Sequence, residues 1–359
     1  MRIRSSRTLV YAQNAGSMVA CNYLTKQVFE CSSDVLGLLA ELEDWTATEQ
    51  LSSLCPGLGE SELASAIDGL VGMSALVAEG SEADRREREF ETAWAWGVPA
   101  AMLHFCLQDN QFMTIEEAED LQRQKAQSEG KVDLYLRNDG LSDVRRLPDP
   151  LAGNALIQLM ARRRSIRMAK PEPVTLGQVS DCLFAGLGIT GETENCVGRL
   201  PLSMTPSGGA RNPYEAYVFD RNVEGLPTGI YHYSAIDHTL GRMADLGDIS
   251  FAAMIGGQEW GEDVACMIVL VARLERTMWK YVDANAYRVV LIEAGHIGQN
   301  VMLAATDHGL TACPTAALNH TLISDALGLT SMTHAPIYAL SLSVPDHERA
   351  QAARRQSGH

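Results

Sequence analysis

The chain has 359 residues, 46% hydrophobic and 21% charged, an ordinary globular composition that excludes wholesale disorder and allows one large domain or two smaller ones. Its 45 acidic residues against 29 basic ones give a formal net charge of −16, a poor match to the phosphates of nucleic acid, so no nucleic-acid partner is expected. The longest apolar runs, such as Val264–Ala272, fall far short of the roughly 20 residues of a membrane span.

After Arg2, Arg4 and Arg7 the apolar run Leu9–Ala12 stops at Gln13, too soon for a signal peptide, so a cytoplasmic location without membrane attachment is expected. The eight cysteines form no C-x-x-C pair, so they are read as buried, reduced thiols with no metal site. In chain order, Thr8–Ala12 and Lys26–Phe29 alternate like short strands. Leu36, Leu38, Leu39 and Leu42 mark one helix, and Leu63, Ile67, Leu70 and Val71 mark another. Residues 1–90 therefore read as a small helical, winged-helix-like unit. Its last stretch, Ser81–Glu91, is dense in charge and fits an exposed linker or a solvated helix.

Residues 91–150 read as a connecting or covering segment, apolar at Trp94–Gly97 and Met102–Leu107 and loop-like over Ser128–Pro150. The main domain, 151–345, opens with a helical stripe of Leu156, Leu159 and Met160. A second helix starts with Thr175 as N-cap and buries Leu176, Val179, Leu183 and Leu187. Tyr214–Phe219 reads as a strand, Gly229–Met243 as a hairpin, and Asp263–Arg273 as a buried strand. A long helix follows, with Asp283 as N-cap, Tyr287, Val290, Leu291, Ala294, Ile297, Val301 and Ala305 facing inward, and Gly309 past its end. Ile337–Val344 is a final strand, and 346–359 is read as a flexible tail. Strands interspersed irregularly with helices make this an α+β domain.

Three clusters could carry chemistry. The run Arg162–Arg167 lies at a helix end, where arginines suit the macrodipole or, with Ser165, form an anion site. Thr205–Pro213 puts Gly208 and Gly209 between prolines, either an ordinary turn or a backbone that a ligand can approach closely. Trp279-Lys280-Tyr281 precedes the long helix. Its lysine is either a desolvated base with a lowered pKa or a side chain reaching water. Glu293 and His296, inside the long helix, are read as facing solvent.

Taken in order, these clusters resemble the SagB-type dehydrogenases, azoline oxidases of the FMN-dependent nitroreductase superfamily. The resemblance runs from about Leu151 to Val344. It rests on R-R-S-x-R (Arg163, Arg164, Ser165, Arg167), P-S-G-G-A-R-x-P-x-E (Pro206–Glu215), G-L-P-x-G-x-Y-x-Y (Gly225–Tyr233), and Lys280-Tyr281 before R-x-x-x-x-E-A-G-H-x-x-Q-N (Arg288–Asn300). It implies a nitroreductase-like sandwich, a homodimer, and FMN held by Arg163, Arg164, Ser165 and Arg167 and by Pro206, Ser207, Gly208, Gly209 and Arg211. Cys313-Pro314-Thr315 would pass near the flavin. Lys280 and Tyr281 would be catalytic, with Lys280 as general base. The implied activity is oxidation of thiazoline or oxazoline rings in a ribosomally made peptide, with a cyclodehydratase as possible partner. The alternatives are the same flavin chemistry on a carrier-bound or other peptide-derived substrate, or a non-catalytic scaffold subunit. The chain departs from the pattern after Val344, where Pro345-Asp346-His347-Glu348-Arg349 replaces the basic phosphate-gripping end of many relatives.

Overall fold

The computed structural model describes residues 1–14, 17–130, 134–135, 138, 142–148 and 153–356. The chain divides into two compact units. The first comprises Met1–Gln108, Leu274–Val289 and Ser331–Thr333, and the second holds the remainder.

In the first unit, Arg2–Ser5 pairs antiparallel with both Thr46–Ala47 and Leu76–Ala78. A separate antiparallel meander joins Leu9–Asn14, Ser17–Asn22 and Gln27–Cys31. Helices Ser33–Glu41 and Glu60–Gly72 contribute Leu39, Leu63, Ile67 and Leu70 to a core shared with Ile3, Phe29 and Leu76. The charged stretch is a helix, Glu82–Ala93, but it is not solvated all round. Asp84 and Glu87 are buried, and Glu87 pairs with the equally buried Arg4 at 2.6 Å. Of the two readings, linker or solvated helix, the helix holds, except that Asp84 and Glu87 turn inward because Arg4 points inward from its strand and needs a counter-charge. Helix Gly97–Cys106 follows, buried through Ala100, Ala101, His104 and Phe105.

The second unit is built on a six-stranded antiparallel sheet. Its order is Thr239–Ala244, Gly229–Ser234, Tyr214–Asp220, Cys266–Arg273, His334–Leu342, Pro314–Thr315. Cys266–Arg273 lies between two strands and buries nearly every side chain, so it reads as a continuous apolar run. Helix Leu176–Leu187 is capped by Thr175, whose hydroxyl accepts from Gln178 N at 3.2 Å. The long helix is Asn285–Asp307, with Asp283 accepting from Asn285 N at 2.8 Å and Gly309 at positive φ beyond its end. Gly298 lets it lie against the sheet. A Cβ there would stand 2.5 Å from the Tyr338 ring, closer than real contacts come.

Several expectations need correction. Leu291 is 37% exposed, and helix Ala155–Arg162 buries none of its residues, leaving Leu156 and Met160 open. Helix Ile115–Ser128, in the segment expected to connect, begins with a Thr114–Glu117 capping box. Much of Ser128–Pro150, including 131–133, 136–137, 139–141 and 149–150, lies outside the described residues, and so do 357–359 at the end. The described part of the expected tail is a helix, His347–Gln356. The hairpin Ile189–Asn195/Gly198–Ser203 had no clear signal, since its outward-facing residues are mostly polar. Cys196, at its tip, is exposed, unlike the buried Cys31, Cys182, Cys266 and Cys313.

Candidate functional site

The arginine cluster sits where helix Ala155–Arg162 ends, in the second unit. Arg164 behaves as a cation at a helix terminus should: its guanidinium donates to the carbonyls of Ala161 (2.8 Å) and Arg163 (2.7 Å). Arg163 reaches only the Ser165 hydroxyl, at 3.4 Å, and Arg167 lies over the Trp260 ring, 5.9 Å from its centre. Among the described residues, Arg163, Arg164 and Arg167 have no carboxylate within ion-pair distance. Arg162 approaches Asp307 only at 4.0 Å.

The backbone between these arginines is held firmly. Thr311 Oγ1 accepts from Ile166 N (3.1 Å) and donates to Ile166 O (3.0 Å), and the Cys313 thiol donates to the same carbonyl at 3.2 Å. Burial raises the Cys313 pKa, while Thr311, Arg167, Ser341 and Arg163 pull the other way. Thr311 in turn pairs with Ser343. A cavity of about 280 Å³ opens beside this anchor, walled by Arg162, Arg164, Ile166, Thr311, Pro345 and His347. Arg164 is thus the expected residue that lines it. Thr311 and His347 join from segments that carried no motif.

The second cluster, Pro206–Gly209, is shaped by Glu293. The carboxylate accepts from the Gly208 N–H and, at 3.3 Å, from the Ser207 hydroxyl, while Ser207 Oγ accepts from Asn212 N at 2.8 Å. Gly209, Ala210 and Asn212 all take positive φ, the bend this loop needs. Asn300 Nδ2 donates to Thr205 Oγ1 (3.1 Å), which donates to Gly186 O at 2.6 Å. The expectation that Glu293 faces solvent is therefore wrong. It is 6% exposed, and burial raises its pKa against the lowering effect of Gly208, Ser207 and His296. His296 does face solvent. Helical spacing was the available signal, since Glu293 lies three residues after Val290 and four before Ile297 on the buried face; its partner, a loop 85 residues away, was not legible. Arg211 lies in the same loop, half-buried.

No hydrogen bond links Arg163, Arg164 or Arg167 to Pro206–Gly209 among the described residues. Lys280 and Tyr281 belong to the first unit. Lys280 is exposed, with its ammonium 5.2 Å from the centre of the Tyr281 ring. Of the two readings of this lysine, the structure shows the side chain reaching water; its apolar neighbours Trp279 and Val282 are themselves 64% and 77% exposed.

A six-stranded antiparallel sheet with helices packed on it, a run of arginines of which Arg163 is half-buried and Arg162, Arg164 and Arg167 are exposed, and a glycine loop pinned by Glu293 make up an α+β protein. Residues 160–342 match the profile of the Nitroreductase family, and the chain belongs to that family of oxidoreductases. It is 33% identical over 185 residues to the putative nitroreductase MJ1384 of Methanocaldococcus jannaschii, a match covering 51% of this chain and 88% of that one. It is 30% identical over 129 residues to the trifolitoxin-processing protein TfxB of Rhizobium leguminosarum bv. trifolii, covering 34% of this chain and 35% of TfxB. With the microcin B17-processing protein McbC of Escherichia coli it shares 27% over 139 residues, 37% of this chain and 50% of McbC. The chain thus spans half or less of these two processing proteins. Among the described residues no helix is long and apolar enough to cross a membrane, and no cluster of metal-ligating side chains occurs.

Proposed function

We propose that the chain oxidises azoline rings to azoles in a modified peptide, using FMN. The observation that carries this is the run Arg163, Arg164 and Arg167, without acidic partners among the described residues, in a nitroreductase-family domain. Arg163, Arg164, Arg167 and Ser165 offer donors throughout, and guanidinium forks match a phosphate, so this donor set fits the phosphate of FMN. Arg162, Thr311 and His347 extend the same wall. The loop Pro206–Gly209, kept in shape by Glu293, supplies a surface with little side chain for the flavin to approach, and Arg211 adds a cation beside it.

Converting a thiazoline or oxazoline to its azole removes a proton from one ring carbon and a hydride from its neighbour. Bound FMN supplies a two-electron acceptor for the hydride. Lys280 takes the proton onto its Nζ, and the Tyr281 hydroxyl orients or relays it. Lys280 is exposed in the free chain, so a substrate ring can approach its Nζ directly. The likeness to TfxB and McbC, named for processing trifolitoxin and microcin B17, supports a peptide substrate, and a cyclodehydratase is the natural supplier of azolines. Exposed Leu156, Met160, Phe184, Leu291 and Ile292 suit a homodimer contact. A cytoplasmic setting fits the unpaired cysteines.

The test is to load the protein with FMN, add a synthetic thiazoline peptide, and follow loss of two hydrogens by mass spectrometry. Lys280→Ala should slow that loss by about 10²- to 10⁴-fold, to a residual rate that can still be followed, while leaving the bound-flavin spectrum intact. A fully active Lys280→Ala protein would remove the base from the scheme. The exposure of Lys280 favours one second reading, a scaffold subunit without catalysis. Protein that takes up no FMN yet stimulates a cyclodehydratase would support it.

A further inference from the structure

Trp94-Ala95-Trp96-Gly97 is not among the residues assigned to FMN above. Within the first unit it is nonetheless tied to the segment that carries Lys280. The Trp96 indole, 2% exposed, donates its N–H to the Tyr281 carbonyl at 2.6 Å. Its ring meets the edge of Tyr287, centres 5.8 Å apart. The Tyr287 hydroxyl pairs with His104 Nδ1 at 3.1 Å, and His104 Nε2 pairs with Gln108 at 3.0 Å. Trp94 stacks on the His104 ring at 5.1 Å, closing an aromatic floor.

The backbone of this segment is also held by its own turn, where Trp279 N donates to Glu275 O at 3.0 Å. Lys280 N and Tyr281 N both donate to Thr277 O, at 3.1 and 2.9 Å, which completes one turn after helix Leu274–Met278. The side chains of Trp279, Lys280, Tyr281 and Val282 all face outward. The segment therefore has a half-buried carbonyl anchor on the Trp96 side and exposed functional groups on the other.

We infer that Trp96 is a positioning residue: by fixing the Tyr281 carbonyl it sets where the Lys280 amine and Tyr281 hydroxyl stand, on a floor of Tyr287 and His104. The inference rests on the reading of Lys280 as the base, and it gives the Trp94–Gly97 motif a role in the reaction. Small misplacement of a reacting group costs rate more than binding. Trp96→Phe keeps most of the ring and deletes the N–H.

The experiment is a double-mutant cycle on the FMN-loaded protein with a synthetic thiazoline hexapeptide, together with flavin content and thermal midpoint for every variant. Trp96→Phe should lower kcat about tenfold with KM unchanged, the scale of one lost hydrogen bond to a half-buried carbonyl. In a Lys280→Ala background the same change should cost less than about twofold, since its effect passes through the missing amine. Tyr287→Phe, which frees His104 while keeping the ring against Trp96, should show the same non-additivity at smaller amplitude, and decides the matter if Trp96→Phe does not fold. Equal fractional losses in both backgrounds, or a loss that follows flavin content, would overturn the positioning role alone. Wild-type rate in Lys280→Ala would bring down the base reading and this inference with it.

Discussion

Asp220 closes the strand Tyr214–Asp220 and is 0% exposed. One carboxyl oxygen accepts from Val223 N at 2.9 Å, while the other is buried without a hydrogen-bond partner. Burial raises its pKa from 3.8 to about 6, against the lowering effect of the backbone donors Val223 and Asn222. A carboxyl whose folded pKa lies above its unfolded one holds its proton more tightly when folded. Its favourable contribution is therefore full below pH ~4, falls as pH rises through ~6, and is gone above that. A shift of about two units corresponds to about 3 kcal/mol at most. Asp220→Asn keeps the acceptor for Val223 and carries no charge at any pH. Urea unfolding should find it similar to wild type at pH 4 and more stable by up to about 3 kcal/mol at pH 8. A stability difference that stays constant from pH 4 to pH 8 would refute the assignment of a buried, protonated carboxyl.

Other consequences can be checked with the same protein. Arg163→Met and Arg167→Met should each weaken FMN binding by about 10- to 100-fold, the worth of a charge-assisted hydrogen bond, and flatten its salt dependence in fluorescence titration. Glu293→Gln retains an acceptor for Gly208 N and should leave FMN affinity within about threefold, whereas Glu293→Leu should lose tenfold or more and expose Gly208 to amide exchange. Glu87→Leu takes the 2.6 Å partner from the buried Arg4, leaving it Asp84 at 3.7 Å, and should destabilise the first unit by about 3 kcal/mol; Arg4→Met with Glu87→Leu should recover part of that in denaturant titration.

Much of this was legible in the residues alone. The Thr175 cap, the Cys266–Arg273 strand and the long helix from Asp283 to Gly309 follow from local rules of capping, β-branching and periodicity, which act over a few residues. The order of the motifs likewise fixed the family, because linear order is what a sequence preserves. What only tertiary structure decided were the pairings across long separations: Glu293 turned inward to hold Gly208, Arg4 matched to Glu87, and Trp96 bonded to Tyr281. Each joins a polar group to a partner more than 80 residues away, and neither residue's local pattern records the other. The exposure of Lys280 was decided the same way, since burial depends on which segments pack over a side chain and not on its immediate neighbours in the chain.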